Sequence, residues 1–350
     1  MTIPKSSKLG IIVRSDLGGG LQSQTYNLTR MLKPYRILHI NSKPFNKAEP
    51  HYDMYDGFTG INSNGFPDNI TVRKFLNGLT HVLTAETFYS YEMLRLARMH
   101  DIKTFNQVNY EFCDNLLRKL PEPYMWLMPS YWSLKVMTDK FGNVQYLPPP
   151  IFTNDFKQAR ETNFARSGYR RFVHIVGKQA SHDRNGTEDV LEALEFVDAD
   201  FELVIRSQYD LPYKINDRRV TFDIGNKLNQ NELYQDFDAM IMPRRYGGLC
   251  LPMDEALSSG LPVIMTDISP NNQILPENWL VQVAAKKQFM ARTMINCFKS
   301  DVADLAKRMT ELATMSDDEL LAEKQRAFEI GFNEFDADNL RPKYYEIMGL

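Results

Sequence analysis

Short β-branched or apolar runs alternate along this chain with longer stretches in which apolar residues return every three to four positions. A short buried run followed by an amphipathic segment, repeated many times, predicts parallel sheets joined by helical crossovers. In the first half the predicted strands are Gly10 to Arg14, Arg36 to Asn41, His81 to Ala85, Thr104 to Val108 and Trp126 to Pro129. The second half repeats the rhythm at Phe172 to Val176, Phe201 to Arg206, Val220 to Asp223, Ala239 to Pro243 and Pro262 to Thr266. The expected fold class is therefore α/β, with two doubly wound, Rossmann-like domains in series. The segment Val144-Gln-Tyr-Leu-Pro-Pro-Pro-Ile151 cannot continue a helix, because successive prolines remove donors and force an extended backbone. It marks the expected boundary, giving domains at 1–148 and 149–330. Residues 302–330 read as helix, and Asn333 to Met348 as a last short helix, so 331–350 are expected to return to the first domain.

Composition narrows the class. With 43% hydrophobic and 24% charged residues over 350 positions, the chain is large enough for two cores. No run approaches the roughly 18 to 20 apolar residues of a membrane-spanning helix, and MTIPKSSKLGIIVR passes into a strand without a signal-peptide pattern. The expectation is a soluble, cytoplasmic protein. Cys113, Cys250 and Cys297 are far apart and odd in number, and the six histidines show no ligand spacing, so neither a disulfide framework nor a protein-bound metal is expected. The net charge of −3 is unevenly spread: residues 1–148 carry 17 Lys and Arg against 12 Asp and Glu, hence +5, and the rest −8. Such asymmetry points to an anionic partner of the first half, the alternative being a mildly basic solvated face.

Three constellations carry chemistry. The first, Ile11-Ile-Val-Arg-Ser-Asp-Leu-Gly-Gly-Gly, runs from a strand through glycines into a helix. Gly18 and Gly19 let the backbone approach a ligand near a helix N-terminus that attracts anions; a tight turn without a ligand is the alternative. The second, Val176-Gly-Lys-Gln-Ala-Ser-His-Asp-Arg-Asn-Gly-Thr, places Gly177, Lys178 and Arg184 on one loop, where both cations could converge on a diphosphate. The third, Met242-Pro-Arg-Arg-Tyr-Gly-Gly-Leu-Cys-Leu-Pro-Met-Asp-Glu-Ala-Leu-Ser-Ser-Gly-Leu-Pro-Val-Ile, reads as a strand end, a Gly-Gly turn, a helix bearing Glu255, a stop at Gly260 and a buried strand. Free amides of Gly248, Leu249 and Cys250 would hold phosphate there, with Glu255 accepting from ribose hydroxyls.

The third segment resembles the donor-binding signature of GT-B glycosyltransferases, particularly the retaining family 4, in which Glu-Gly-Phe-Gly-Leu-Pro-x-x-Glu-Ala precedes a Ser-Gly-x-Pro-Val-Ile strand. The early glycine loop, the Val-Gly-Lys to Arg-x-Gly loop and Pro129-Ser-Tyr-Trp-Ser extend the resemblance over most of the chain. It implies GT-B architecture, two Rossmann-like domains facing a central cleft, with an acceptor-binding first domain and a donor-binding second one. Lys178 and Arg184 fall where the family has diphosphate-binding cations, and Glu255 at the second motif glutamate. The first motif glutamate falls on Gly247, a departure that bears on the choice of sugar. The implied reaction moves a sugar, with retention, from a nucleotide diphosphate donor, with no permanently bound cofactor; the sequence does not reveal the sugar or the nucleotide, and a UDP-sugar such as UDP-glucose is the expectation on base rate alone.

For the acceptor, the strand ends of the first domain offer Glu86, in Thr84-Ala-Glu-Thr-Phe-Tyr, as the catalytic carboxylate, and Asn109 and Glu111 as binding groups. The segments around Glu86 and Arg184 look similar to those of bacteriophage-encoded members of the superfamily, some of which glycosylate hydroxymethylated bases in DNA. A basic, aromatic-containing acceptor domain suits such a polyanion, making a modified DNA base in a phage-infected cytoplasm the first expectation. The alternatives are a carbohydrate or glycolipid acceptor in envelope or capsule synthesis, and a catalytically silent nucleotide-sugar binder.

Overall fold

The computed structural model describes residues 7–14, 20–41, 53–177, 182–225, 227 and 229–350. The chain divides into two compact units: 1–150 with 291–293 and 337–350, and 151–290 with 294–336.

In the first unit, β1 (Leu9–Arg14), β2 (Arg36–Asn41), β3 (Gly60–Asn64), β4 (His81–Ala85), β5 (Lys103–Gln107), β6 (Met125–Met128) and β7 (Val144–Tyr146) form one parallel sheet in the order β3-β2-β1-β4-β5-β6-β7. All five residues of β4 are buried, and five of the six in β1, as expected of a parallel sheet covered on both faces. The helix Gly20–Leu32 covers one face with an unusually polar side in which Gln24 donates to the Gln107 side chain at 2.7 Å. Gln107 in turn donates to the Leu147 carbonyl and to the hydroxyl of Tyr344, which donates to the Pro148 carbonyl. This buried chain of bonds fastens the last helix, Ala337–Met348, to the sheet of the first unit.

The second unit repeats the plan with β8 (Arg171–Gly177), β9 (Glu202–Ser207), β10 (Val220–Ile224), β11 (Ala239–Ile241), β12 (Val263–Thr266) and β13 (Leu280–Val281), parallel and ordered β10-β9-β8-β11-β12-β13. In each sheet the strand order reverses next to the first strand, between β1 and β4 and between β8 and β11. In open α/β sheets ligands bind outside the carboxyl ends of the strands at this switch point. In the second unit the two loops leaving it, after β8 and after β11, are those that carry Gly177 to Gly186 and Met242 to Cys250.

The sequence expectation did not include β3, β7 or β13, and the structure departs from it in two further places. Residues 302–330 do not form one helix: Val302–Thr314 ends at Met315, and Asp317–Phe335 restarts from a capping box in which Ser316 and Glu319 satisfy each other's free backbone donors. An antiparallel hairpin, β14 (Val283–Met290) and β15 (Met294–Ser300), lies between β13 and those helices. Its first strand is almost wholly exposed, so no buried apolar alternation announced it.

Candidate active site

The loop after β8 starts at Gly177, which has a positive φ of 62°, and returns to the helix Thr187–Ala193 at Gly186. Asp183 caps that helix by accepting from the amides of Thr187 (3.0 Å) and Glu188 (2.9 Å), and the Asn185 amide donates to the Ile175 and Val176 carbonyls. Gly186 has φ +73°, and a Cβ there would lie 2.2 Å from the Pro243 carbonyl oxygen, so this glycine lets the two switch-point loops touch. A backbone bond from Arg245 N–H to the Arg184 carbonyl, 2.8 Å, joins them again. The Arg184 guanidinium sits 4.8 Å from the centre of the Tyr246 ring, whose edge meets Phe289 of β14. Gly18, Gly19 and Lys178 lie outside the described residues.

The loop after β11 leads to the helix Leu251–Ser258, whose first turn carries Pro252. Gly248 and Cys250 are buried and Leu249 half-buried, and the amides of these three residues have no hydrogen-bond acceptor among the described residues. Unsatisfied donors at a helix start, with the positive end of the helix dipole behind them, form an anion cradle. One turn along, Glu255 is 6% exposed and accepts from the Tyr234 hydroxyl at 2.5 Å. Burial pushes its carboxyl up to about 7, the Tyr234 bond opposing the shift. Asp254 beside it is also held well above the carboxylate range, by burial first and Glu255 second.

Three residues that the sequence reading passed over shape this ground. His174 in β8 is fully buried, and burial lowers its pKa; its Nδ1–H donates to the Ile241 carbonyl (2.7 Å) and its Nε2 accepts from the Thr187 hydroxyl (2.9 Å). It thus locks β8, β11 and the following helix together. Arg245, 7% exposed, reaches Asp189 (2.6 Å), Glu188 (3.2 Å) and Asp183 (3.5 Å), bracing one loop against the other. Arg244 points its Nε to the Tyr246 carbonyl at 3.0 Å. The adjacent arginines ahead of Tyr-Gly-Gly were the visible signal, but their different partners are a tertiary property.

In the first unit, Glu86 follows β4 in a left-handed conformation, φ +66°, and its N–H extends the ladder to the Gln107 carbonyl at 2.8 Å. Burial raises its carboxyl pKa and Glu111 adds to this, while Arg14, Asn109 and Arg292 pull the other way. Asn109 and Glu111, leaving β5, therefore share the neighbourhood of Glu86, and Glu111 is itself buried. A narrow cavity of about 20 Å³ beside them is lined in part by Glu86, Asn106 and Trp126. The Asn106 side-chain oxygen Oδ1 and the Trp126 indole N–H, both buried, have no partner among the described residues. A wider hollow of about 570 Å³, around Asp198 to Asp200 and Asn216 to Arg219, lies at the opposite, N-terminal ends of β9 and β10 and holds none of these groups. Among the described residues no cluster of three or more His, Cys, Asp or Glu is placed to hold a metal, and no helix is long and apolar enough to cross a membrane.

No curated protein sequence is significantly similar to the chain. Residues 170–314 match the sequence profile of the family described as glycosyl transferases group 1. Among solved structures, the fold matches sucrose-phosphate synthase from Thermosynechococcus elongatus at 14% identity, over 97% of this chain and 98% of that one, with a TM-score of 0.67. It matches HepE of Anabaena, solved in complex with UDP and glucose, at 10% identity over 98% and 99%, TM-score 0.68. A TarM variant from S. aureus, solved with UDP, gives 11% identity over 98% and 100%, TM-score 0.67. Residues 170–314 are thus similar to the glycosyl transferases group 1 family, and they are set in a chain with the GT-B fold, two Rossmann-like domains with parallel sheets.

Proposed function

We propose that the protein transfers a sugar, with retention, from a UDP-sugar to an acceptor hydroxyl, in the manner of the family 4 enzymes its motifs resemble. The observation that supports this reading is the joining of the two switch-point loops in the second unit: Gly186 packs on Pro243 and the Arg245 N–H donates to the Arg184 carbonyl, so the loop with Arg184 adjoins the one that leads through Gly248 to Cys250 into the helix with Glu255. In this reading the diphosphate lies on the amides of Gly248, Leu249 and Cys250, and Glu255 accepts from the ribose hydroxyls. The bond between the sugar C1 and the diphosphate oxygen breaks, and the acceptor oxygen bonds to C1 from the same face. The hydroxyl proton passes to a phosphate oxygen or to Glu86. The transition state is oxocarbenium-like, so stabilising negative charge on the departing diphosphate is the main task, and Lys178 and Arg184 perform it. Solved GT-B neighbours that contain UDP support the choice of nucleotide.

The acceptor in this proposal is a hydroxymethylated base in DNA, of the kind bacteriophages make, held by Glu86, Asn109 and Glu111. The +5 balance of residues 1–148 supports a polyanionic acceptor. Incubation with a panel of UDP-sugars and hydroxymethylated DNA, followed by mass analysis of the nucleosides, tests both halves. A hexose added to the modified base is the expected result. UDP-sugar hydrolysis without any change to the DNA would remove the acceptor and leave the donor half standing.

A further inference from the structure

Gly247 has φ +109°, and a Cβ built on it would meet Nη2 of Arg244 at 2.6 Å. The Arg244 guanidinium therefore lies over the turn whose next three amides have no acceptor among the described residues. Its side chain is buried, with 6% of the residue exposed. Nε donates to the Tyr246 carbonyl, but the two terminal nitrogens have no oxygen acceptor among the described residues and no carboxylate within 4.0 Å. The neighbouring Arg245, equally buried, has three carboxylates around it. The Cys250 thiol is a hydrogen-bond partner of Arg244 and Asp254 acts on it electrostatically, yet burial favours the neutral form of both, so neither supplies a full counter-charge.

A desolvated guanidinium without a counter-ion opposes folding and is retained where a ligand supplies the charge. Its rigid fork suits a phosphoryl group, and it stands beside a helix N-terminus that favours the same ligand. We infer that Arg244 is an anion-binding residue of the donor site, holding phosphoryl oxygens of the donor diphosphate together with the amides of Gly248, Leu249 and Cys250. The inference rests on the donor reading above and adds a cation that the loop after β8 does not contain. It also accounts for the glycine at 247: any side chain there would displace the guanidinium.

The test measures calorimetric affinity for UDP, UDP-glucose and UDP-glucuronate in the wild type, Arg244→Gln and Arg244→Lys, with the thermal midpoint of each ligand-free protein. The expected result is a loss of about 10- to 100-fold for all three ligands in Arg244→Gln, with partial recovery in Arg244→Lys. The ligand-free midpoint of Arg244→Gln should stay level or rise, because an uncompensated charge has been removed. Wild-type affinity for UDP in Arg244→Gln, or a lowered ligand-free midpoint with binding intact in Arg244→Lys, would show a structural brace and overturn the assignment. A loss confined to UDP-glucuronate would overturn it in favour of a sugar carboxylate. Failure of the wild type to bind any of the three would instead reject the donor reading itself.

Discussion

Glu255 combines two properties that a single substitution can separate. Its carboxyl is raised from 4.5 to about 7 by burial, so between these values the folded protein binds a proton that the unfolded chain releases. Stability from this group is complete below about pH 4.5 and is lost as pH rises through 7, a change on the order of 3 kcal/mol. Glu255→Gln cannot titrate, so its unfolding free energy should fall less between pH 5 and pH 8 than that of the wild type. Parallel curves from denaturant titration at several pH values would refute the assignment. Because the ionised form accepts ribose hydroxyls best, UDP affinity of the wild type should rise through pH 7, and in Glu255→Gln it should be weaker and flat. Arg184 is tested by kinetics: Arg184→Ala should retain donor binding and lose roughly a hundred- to a thousandfold in turnover. Near wild-type kcat at saturating substrates would leave Arg184 as a cation stacked on Tyr246 and nothing more. The sequence displayed Arg184 and Glu255 because they sit in ordered motifs. It hid His174, Tyr234 and the division of labour between Arg244 and Arg245, since a buried histidine or tyrosine in an apolar run looks like any core residue until its partner, distant in sequence, is known.

At the level of elements, the strands that lie at the centres of the two sheets were legible, because burial on both faces leaves uninterrupted apolar runs such as Ile11-Ile-Val and Ala239-Met-Ile. Of those at the margins, β10 was legible, and β3, β7 and β13 were not. β3 reads Gly-Ile-Asn-Ser-Asn and is mostly exposed, β13 is two residues long, and the hairpin of β14 and β15 faces solvent along most of its first strand. Their existence depends on neighbours that supply hydrogen bonds, which no local pattern encodes. The contact between the two switch-point loops is likewise invisible in sequence and rests on Gly186. Gly186→Ala would add a left-handed backbone strain and a clash with a carbonyl oxygen, each costing about 1 to 3 kcal/mol. The mutant should melt at a lower temperature and bind UDP more weakly, as the loops part. An unchanged melting temperature would show that the loops do not depend on this approach.

For the molecule as a whole, the account assigns the donor to the second unit, at the carboxyl ends of β8 and β11, and the acceptor to the first unit around Glu86. Both units have the same kind of switch point, so fold alone does not decide which of them takes the nucleotide; in the proposed function that choice rests on the amides of Gly248 to Cys250, Arg184, Arg244 and Glu255. Backbone hydrogen exchange with and without UDP reads this choice directly, since an amide that donates to a phosphate becomes protected. The account predicts slowed exchange at Gly248 to Cys250 and along the loop from His182 to Gly186, with the strand ends of the first unit around Glu86 and Asn109 unchanged. Protection confined to the first unit, with the amides of Gly248, Leu249 and Cys250 exchanging as fast as in the free protein, would contradict it.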